Sequence, residues 1–477
     1  MKGFRKLGEQ LFNLGLTQRL GLGQRHTAGG DATAPTVVIT CAQTSPSATT
    51  PLNFTFTLSE VATDFAIGDI AVGGVGGTKS NFAGSGTSYT CDIAPTASGV
   101  MTVDVAENAF HDAAGNGNIA ATQFSFTAVV YTLNDDFITA DDNPLTSPRT
   151  CEPGPGTLTI VDTGSKLSIT GDQLVDAGGG SSWSTDGFYG SALTRAVGLA
   201  FLANLDFTAG GGSRITQLGF RHTAALTNAL RHAFYFNDNQ IYLYDNDGTL
   251  IDNYSFTNTT YRIAIILQTI GAVYVIKGGA FTEWTIIWVG RIGNTTPLYL
   301  MRTGFAGSQK LNSVRISTLP APFATDFGVA TSSSATPAVN DTITQAADGI
   351  VFMTWTAVTG ETWDFSVRGT DDNNRWIIRS DQGGSTIKLI EVNAGSETER
   401  ASAAQTFTNG VAYTLTVFCF GNKIRAYIAD ASKWNYASAA FNNTATIVKT
   451  NKAGTNLVAY PKTLSGAAVS VLTAANP

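Results

Sequence analysis

The chain has 477 residues, enough for about three domains of roughly 150 residues each. Charged residues make up 14% of it, against the roughly 25% usual for soluble proteins. The formal net charge of −7 argues against nucleic acid as the main partner, because phosphate binding needs a basic surface. No run of about 18 apolar residues occurs, so no membrane span is expected.

Residues 1–33 are predicted to form an N-terminal arm with a short amphipathic helix. Apolar residues recur there at steps of three and four, which is the spacing of a helix stripe, at Phe4, Leu7, Leu11 and Leu14. So short a helix needs a partner surface, and we expect these four residues to anchor the protein in its assembly. A frayed terminus is the alternative. Charges interrupt any apolar stretch, so no secretory signal is expected; they are Lys2, Arg5, Lys6 and Glu9.

Residues 34–130 predict a β-sandwich, because short alternating runs such as NFTFTLS and GVMTVDVAE are separated by turns with Gly, Asn or Pro. The runs DFAIGDIAV, SNFAGSGTSYTCDIAP and DAAGN resemble the bacterial immunoglobulin-like domain of large surface adhesins. The matching positions are Phe65, Asp69, Ile70, Asn81, Phe82, Gly84, Tyr89, Pro95, Asp112, Gly115 and Asn116. The resemblance implies an immunoglobulin-like fold that serves as a spacer or adhesive module.

Residues 131–320 and 321–477 repeat one plan. In each half, a hairpin is followed by a strand that begins with a tyrosine, Tyr261 or Tyr413. A turn with glycine and a return strand come next. The glycine turns are Gly271-Ala272 and Gly421-Asn422. An internal repeat of about 150 residues indicates two copies of one β module.

Both halves resemble laminin-G or concanavalin-A-like jelly rolls. The segments that carry the resemblance are Asp135-Asp136-Phe137, Asn312-Ser313-Val314-Arg315 and the run LVAYPKTLSG. They look like such modules in phage tail and head proteins, some of which bind sugars. The expected fold class is therefore all-β, with an immunoglobulin-like sandwich and two tandem jelly rolls after the arm.

No catalytic constellation is visible, so we expect no enzyme activity. None of the four histidines lies in an HExxH pair or a recognisable triad motif. Glu391, Glu397 and Glu399 do not form the carboxylate run of a jelly-roll glycosidase and are interpreted as solvated surface. A catalytic pair built from distant positions is the alternative that stays open.

Three tryptophans are candidates for ligand binding. Trp183, Trp376 and Trp434 lie in polar sequence surroundings and could stack on sugar rings. Core packing or a subunit contact is the alternative for each of them.

Calcium is the one cofactor that the sequence leaves open. The segments Asp245–Gly248 and Asp371–Asn374 carry the oxygen ligands that calcium prefers. Hairpin turns explain both segments more simply. A melting temperature unchanged by EGTA would argue against calcium.

Cys41 and Cys91 each have an apolar residue two positions earlier in a predicted strand, so both are expected to face a core. They are interpreted as buried free thiols, with a disulfide between them as the alternative.

These features favour a non-enzymatic structural protein of a tailed-phage virion, made in the host cytoplasm and carried on the virion surface. It would be a head decoration, a spike or a tail-associated protein. The expected partners are capsid or tail proteins, further copies in a homo-oligomer and host-surface polysaccharide. A bacterial cell-surface adhesin that binds glycans is the alternative, and the missing export signal counts against it.

Overall fold

The computed structural model describes residues 31–477 except for several short segments. These are 139–143, 179–181, 209–214, 227–230, 238–239, 246–248, 270, 291–296, 307–308, 324–331, 347, 382–384, 430 and 438–445. The predicted anchor residues lie outside the described residues; they are Phe4, Leu7, Leu11 and Leu14. Among the described residues, no helix has the length and apolarity needed to cross a membrane.

The chain divides into two compact units. The first unit consists of three segments: one that ends at Gln43, Pro51–Ala94 and Met101–Ser125. The second unit contains Thr44–Thr50, Pro95–Val100 and Phe126–Pro477.

The N-terminal sandwich consists of two antiparallel sheets with the strand orders β1-β2-β5-β4 and β3-β6-β7. Its strands are β1 (Val37–Cys41), β2 (Leu52–Leu58), β3 (Ile70–Gly74), β4 (Gly77–Ser85), β5 (Ser88–Pro95), β6 (Gly99–Val105) and β7 (Phe124–Ala128), with a 3-10 turn at Ile67–Asp69. Strand β2 alternates buried and more exposed residues, as a strand with one core face must. Phe65 packs in this core, with its ring centroid 5.0 Å from that of Phe110 and 5.1 Å from that of Tyr89.

Cys41 and Cys91 lie on either side of strand β2. Both are register partners of Phe54, so two strand spacings, about 9–10 Å, separate them. That distance is too long for a disulfide, and both thiols are free. Cys91 is buried, whereas Cys41 is only partly buried and donates a hydrogen bond from Sγ to Gln43 Oε1 at 3.4 Å. Desolvation raises the pKa of both thiols.

The middle sandwich contains two large antiparallel sheets. One has the order β18-β17-β16-β15-β22-β13-β10-β9; the other has the order β11-β12-β23-β14-β19-β20-β21, with β8 paired to β23. The strands are β8 (Tyr131–Asp135), β9 (Arg149–Thr150), β10 (Thr157–Asp162), β11 (Leu167–Ile169), β12 (Leu174–Asp176), β13 (Asp186–Leu193), β14 (Leu199–Asp206), β15 (Ile215–Arg221), β16 (His232–Asn237), β17 (Gln240–Asp245), β18 (Thr249–Ser255), β19 (Thr260–Leu267), β20 (Ala272–Gly278), β21 (Phe281–Val289), β22 (Leu298–Ala306) and β23 (Gln309–Thr318).

The C-terminal sandwich has two sheets of six strands each, with the orders β24-β35-β26-β31-β32-β33 and β25-β34-β27-β28-β29-β30. The strands are β24 (Ser332–Ser334), β25 (Thr342–Thr344), β26 (Gly349–Thr356), β27 (Thr362–Asp371), β28 (Asn374–Asp381), β29 (Thr386–Asn393), β30 (Ser396–Ala404), β31 (Ala412–Phe420), β32 (Lys423–Ile428), β33 (Ala431–Ala437), β34 (Ile447–Thr450) and β35 (Thr455–Pro461). A helix that the sequence did not predict, α1 (Gly466–Ala475), follows the last strand.

The predicted repeat appears in the topology of these two sandwiches. In each, a three-strand meander in one sheet (β16–β18 or β28–β30) is followed by a meander in the other (β19–β21 or β31–β33). Tyr261 and Tyr413 are each the second residue of the strand that opens the second meander. The hydroxyl of Tyr261 accepts a hydrogen bond from Thr257 N at 3.0 Å, and that of Tyr413 accepts one from Thr408 N at 2.8 Å. The two tyrosines are therefore structurally equivalent.

The middle and C-terminal sandwiches share part of one hydrophobic core within the second unit. The Trp288 ring stacks on Phe418 at a centroid distance of 4.9 Å and meets Tyr427 edge-on at 4.3 Å. The buried face of α1, with Val471 and Leu472, belongs to the same core. Burial of these apolar side chains holds the two sandwiches together.

Two ion pairs hold strand β8 and the residue after it against strands β9 and β23. Asp135, in the segment Asp135-Asp136-Phe137, is fully buried and accepts two hydrogen bonds from Arg149, at 2.7 and 2.9 Å. Arg315, the last residue of the segment Asn312-Ser313-Val314-Arg315, pairs with Asp136 and donates a hydrogen bond to Asn134 Oδ1 at 2.8 Å. The two sequence motifs therefore meet as neighbours on strands β8 and β23.

Candidate functional site

One sheet of the middle sandwich carries aromatic side chains on the face that points away from its core. Along β16, Phe234 and Phe236 belong to the core, while Tyr235 between them is only partly buried. Along β17, Ile241 and Leu243 belong to the core, while Tyr242 and Tyr244 are partly buried. The period of two in a strand therefore puts the tyrosines together on the opposite face.

The strand register aligns the residues of this face in two rows across the sheet. The first row is Tyr189, Met301, Gly219, Ala233 and Tyr244. The second row is Gly187, Thr303, Gln217, Tyr235, Tyr242 and Asn253. Between the rings of the first row, Ala233 and Met301 are fully buried, and Tyr189 and Tyr244 pack against them in a small hydrophobic cluster with Leu226. We call the two rows, together with Trp183, the tyrosine face.

The rings of the tyrosine face touch one another. Tyr235 stacks on Tyr242, with 5.4 Å between ring centroids and 26° between ring planes. It also lies 5.6 Å from Tyr244 and meets Trp183 edge-on at 5.4 Å. Such contacts hold aromatic rings in fixed orientations. Desolvation by burial raises the pKa of Tyr244, and the neighbouring Tyr242 adds to this effect.

Polar groups lie beside the rings. Thr303 Oγ1 donates a hydrogen bond to the backbone oxygen of Trp183, which fixes the segment before β13 over the second row. Gln217 is only 2% exposed, and its Oε1 accepts no hydrogen bond from the part of the chain that the structure describes. Asn253, at the end of the second row, is exposed. The described side chains of the two rows thus offer aromatic rings together with hydroxyl and amide groups.

The three predicted ligand-binding tryptophans separate in the structure. Trp183 is partly buried and belongs to the tyrosine face. Trp376 and Trp434 are only 4% and 8% exposed and lie in the core of the C-terminal sandwich, which is the core-packing alternative and not a sugar-stacking position. Alternation explains the difference, because each occupies an inward position of its strand.

The tyrosines of this face were not among the site residues predicted from sequence. The runs HAFYFN and QIYLYD contained the signal, since aromatic residues alternate there with core residues at a period of two. Which alternate set points outward depended on the partner sheet.

The predicted calcium segments lie at hairpin ends: Asp245 is the last residue of β17, and Asp371–Asn374 joins β27 to β28 by a two-residue turn. Residues 246–248 lie outside the described residues. At the other segment, Asp371 Oδ1 accepts a hydrogen bond from Asn373 N at 2.7 Å, as in a hairpin turn, and Asp372 pairs with Arg375 and Lys449.

A separate group of carboxylates lies in the N-terminal sandwich. Ligand oxygens of Asp31, Glu60 and Asp112 lie within 4.8 Å of one another. Asp112 Oδ1 accepts hydrogen bonds from the backbone nitrogens of Ala114 and Asn116, each at 2.8 Å, and this shapes the DAAGN turn.

One comparison with known proteins covers the first module. Residues 31–128 match the sequence profile of the bacterial Ig-like domain family. No curated protein sequence matches the chain. The profile match, together with the sheet architecture, confirms the predicted all-β fold class.

Several solved structures are similar to part of the chain. A galectin from Caenorhabditis elegans is 10% identical, covers 28% of this chain and 96% of its own, and gives a TM-score of 0.24. A carbohydrate-binding module from Bacillus subtilis is 13% identical, with coverage of 28% and 75% and a TM-score of 0.21. A structure from work on endo-acting O-glycanases of the human gut microbiota is 10% identical, with coverage of 39% and 99% and a TM-score of 0.28.

Proposed function

We propose that this protein is a non-enzymatic, modular surface protein that binds glycans through the tyrosine face of its middle sandwich. The observation that carries the proposal is the row of partly buried rings on an outward sheet face, with Trp183, Tyr235 and Tyr242 in mutual contact. Aromatic rings with one wet side suit the apolar C–H faces of sugar rings.

The polar groups of the face supply what a sugar needs besides stacking. A binding site combines aromatic surface with a few placed hydrogen-bonding groups. Asn253 offers an exposed amide at the end of the second row, and the tyrosine hydroxyls offer further hydrogen-bonding groups.

A glycan array probed with the wild-type chain and with Tyr242→Ala tests the proposal. We expect the wild type to bind a defined set of glycans and Tyr242→Ala to lose at least about 1 kcal/mol of binding free energy, the cost of truncating an aromatic residue that contributes to binding. Tyr242→Phe keeps the ring and should keep most of the affinity. Equal binding by wild type and Tyr242→Ala would rule out the tyrosine face as the site, and release of sugar ends from a bound glycan would contradict the non-enzymatic assignment.

Three points stay predictions: the location on a tailed-phage virion, which rests on the sequence resemblance; anchoring through residues 1–33, which rests on the helical spacing of their apolar residues; and homo-oligomerisation. The second candidate, a bacterial surface adhesin, is favoured by the match of residues 31–128 to a bacterial family.

Quantitative mass spectrometry separates the virion protein from the surface adhesin. Many copies per purified particle support a virion structural role, and a handful supports a tail-tip role. Detection only in the cell-surface fraction supports the adhesin.

A further inference from the structure

A cleft lies between the middle and C-terminal sandwiches, both of which belong to the second compact unit. It consists of two cavities of about 360 and 410 Å³. Four residues line both cavities, so the two form one continuous cleft; they are Tyr254, Ser255, Asp348 and Lys462. Among the described residues, the cleft shares only Asn253 with the tyrosine face. Its volume falls in the range of ligand sites, roughly 300–1,000 Å³.

The walls of the cleft are fixed to one another by hydrogen bonds. Tyr254, from strand β18, donates its hydroxyl hydrogen to Ile287 O at 2.7 Å. On the other wall, Lys462 O accepts a hydrogen bond from Ile286 N at 2.8 Å, and Lys462 N donates to Asp348 O at 3.0 Å. Strand β21 thus holds both walls, and the cleft is preformed.

The cavity of 360 Å³ is lined by more positive than negative charges. Among the described residues, its cations are Lys423, Arg425 and Lys462, and its one carboxylate is Asp348. That carboxylate pairs with Arg368 at 3.2 Å and lies 3.7 Å from Lys462, so it offsets part of the positive charge. The cavity of 410 Å³ has a second carboxylate, Glu283, which lies 3.5 Å from Lys277. The excess is local, because the whole chain has a net charge of −7.

Aromatic rings position two of these cations. Lys462 Nζ lies 4.6 Å from the centroid of the Phe420 ring, and the Arg425 guanidinium carbon lies 5.6 Å from that of Tyr254. Arg425 Nε also donates to Asn435 Oδ1 at 3.0 Å. Cation–π contacts and this hydrogen bond hold the charges in place before a ligand arrives.

Uncharged hydrogen-bonding groups complete the lining. They are Gln240, Asn253, Ser255 and Asn422. Amides and hydroxyls next to fixed cations suit a ligand that has both hydroxyl groups and negative charge.

We propose that this cleft binds an acidic saccharide, whose carboxylate or sulfate groups contact Lys423, Arg425 and Lys462. Sugar hydroxyls contact the amides of the lining, and charge-assisted hydrogen bonds supply most of the affinity. The cations of the cleft are not part of the tyrosine face, so the proposal stands or falls separately from the proposed function.

Isothermal titration calorimetry with the full chain tests this. The probes are tetragalacturonate, which carries carboxylates, a sulfated glucan oligosaccharide, and maltotetraose as the neutral control. We expect at least one acidic probe to bind and maltotetraose to bind much more weakly. Binding of the carboxylated probe alone assigns a carboxylate ligand, and binding of the sulfated probe alone assigns a sulfate ligand. Absence of binding by both acidic probes, or equal binding of maltotetraose, overturns the proposal.

Two variants separate the cleft from general charge attraction. Lys423→Gln with Lys462→Gln removes two cations from the cleft and should weaken binding about tenfold or more. Lys452→Gln removes a partly exposed lysine that lies outside the cleft, in a pair with Glu361, and should leave binding unchanged. An equal loss in both variants overturns the proposal, as does a double variant that keeps wild-type affinity.

The folding of the double variant is checked by its melting temperature, which should match that of the wild type. If it is misfolded, Lys423→Gln alone replaces it in the titration, because Lys423 is exposed and its loss should not disturb the fold. Unchanged affinity in that single variant then overturns the proposal. Tyr242→Ala should bind the acidic probe like the wild type.

Discussion

Tyr235 stacks on Tyr242 across two neighbouring strands, 5.4 Å apart at the ring centroids, and this pair forms the centre of the tyrosine face. Tyr235 also contacts Trp183 and Tyr244, whereas Tyr242 lies nearer the sheet edge. The two rings should therefore differ in what they contribute to stability and to binding.

Tyr235→Ala should destabilise the middle sandwich more than Tyr242→Ala. Loss of three ring contacts should cost about 2–3 kcal/mol of unfolding free energy, and loss of one about 0.5–1.5 kcal/mol. Urea denaturation followed by fluorescence measures both. Equal losses would show that the contacts of Tyr235 with Trp183 and Tyr244 contribute nothing.

Asp135→Ala should strongly destabilise the middle sandwich, because it removes a buried carboxylate that accepts two hydrogen bonds from the buried Arg149. Arg149 is 5% exposed and Asp135 is fully buried. Breaking such a pair on one side costs about 3–5 kcal/mol. Glu361→Ala breaks the partly exposed pair with Lys452 and should cost less than about 1 kcal/mol. Calorimetric melting of both variants checks the contrast, and similar shifts would contradict it.

Asp186→Asn should stabilise the protein at neutral pH. Asp186 is 1% exposed, its Oδ1 has no partner among the described residues, and burial raises the pKa of its carboxyl group. A raised folded-state pKa stabilises the fold below the unfolded-state pKa, about 3.9, and this contribution is lost as the pH rises through the folded-state value. The amide stays neutral, so the gain should be about 1–3 kcal/mol at pH 7 and should vanish near pH 3.

Melting curves of Asp186→Asn between pH 3 and pH 8 measure this pH dependence. Asp162→Asn is the matched control, because Asp162 accepts backbone hydrogen bonds from Lys166 and Leu167 at 2.7 and 3.0 Å. It should lower stability at neutral pH. A gain for Asp186→Asn that does not depend on pH would refute the role of the buried charge.

Gly84→Ala should destabilise the N-terminal sandwich by more than about 2 kcal/mol, because overpacking and backbone strain add. Gly84 has a φ of +128°, and a Cβ there would lie 2.3 Å from Ser88 O. Gly86→Ala is the control: its φ is +67°, no atom lies within 4 Å of its Cβ, and the cost should be about 1 kcal/mol. Differential scanning calorimetry of the full chain compares the two, and equal shifts would show that the close approach at Gly84 is unimportant.

The sequence by itself determined the class of the fold and its repeat. Period-two runs and glycine turns predicted strands because a strand with one buried face must alternate, and the equivalence of Tyr261 and Tyr413 followed from that pattern. The turn residues of the DAAGN motif were also predictable from sequence, since the side chain of Asp112 accepts its hydrogen bonds from residues two and four positions away.

Only the tertiary structure decided which side of each strand faces outward and which strands become neighbours. Trp183, Trp376 and Trp434 have similar polar neighbours in sequence, yet only Trp183 lies on a partly open face. The rows of the tyrosine face come from strands far apart in the chain. The cleft at Lys462 is lined by residues of two different sandwiches. Local sequence carries propensity and period, whereas burial and long-range register depend on the packing of whole sheets.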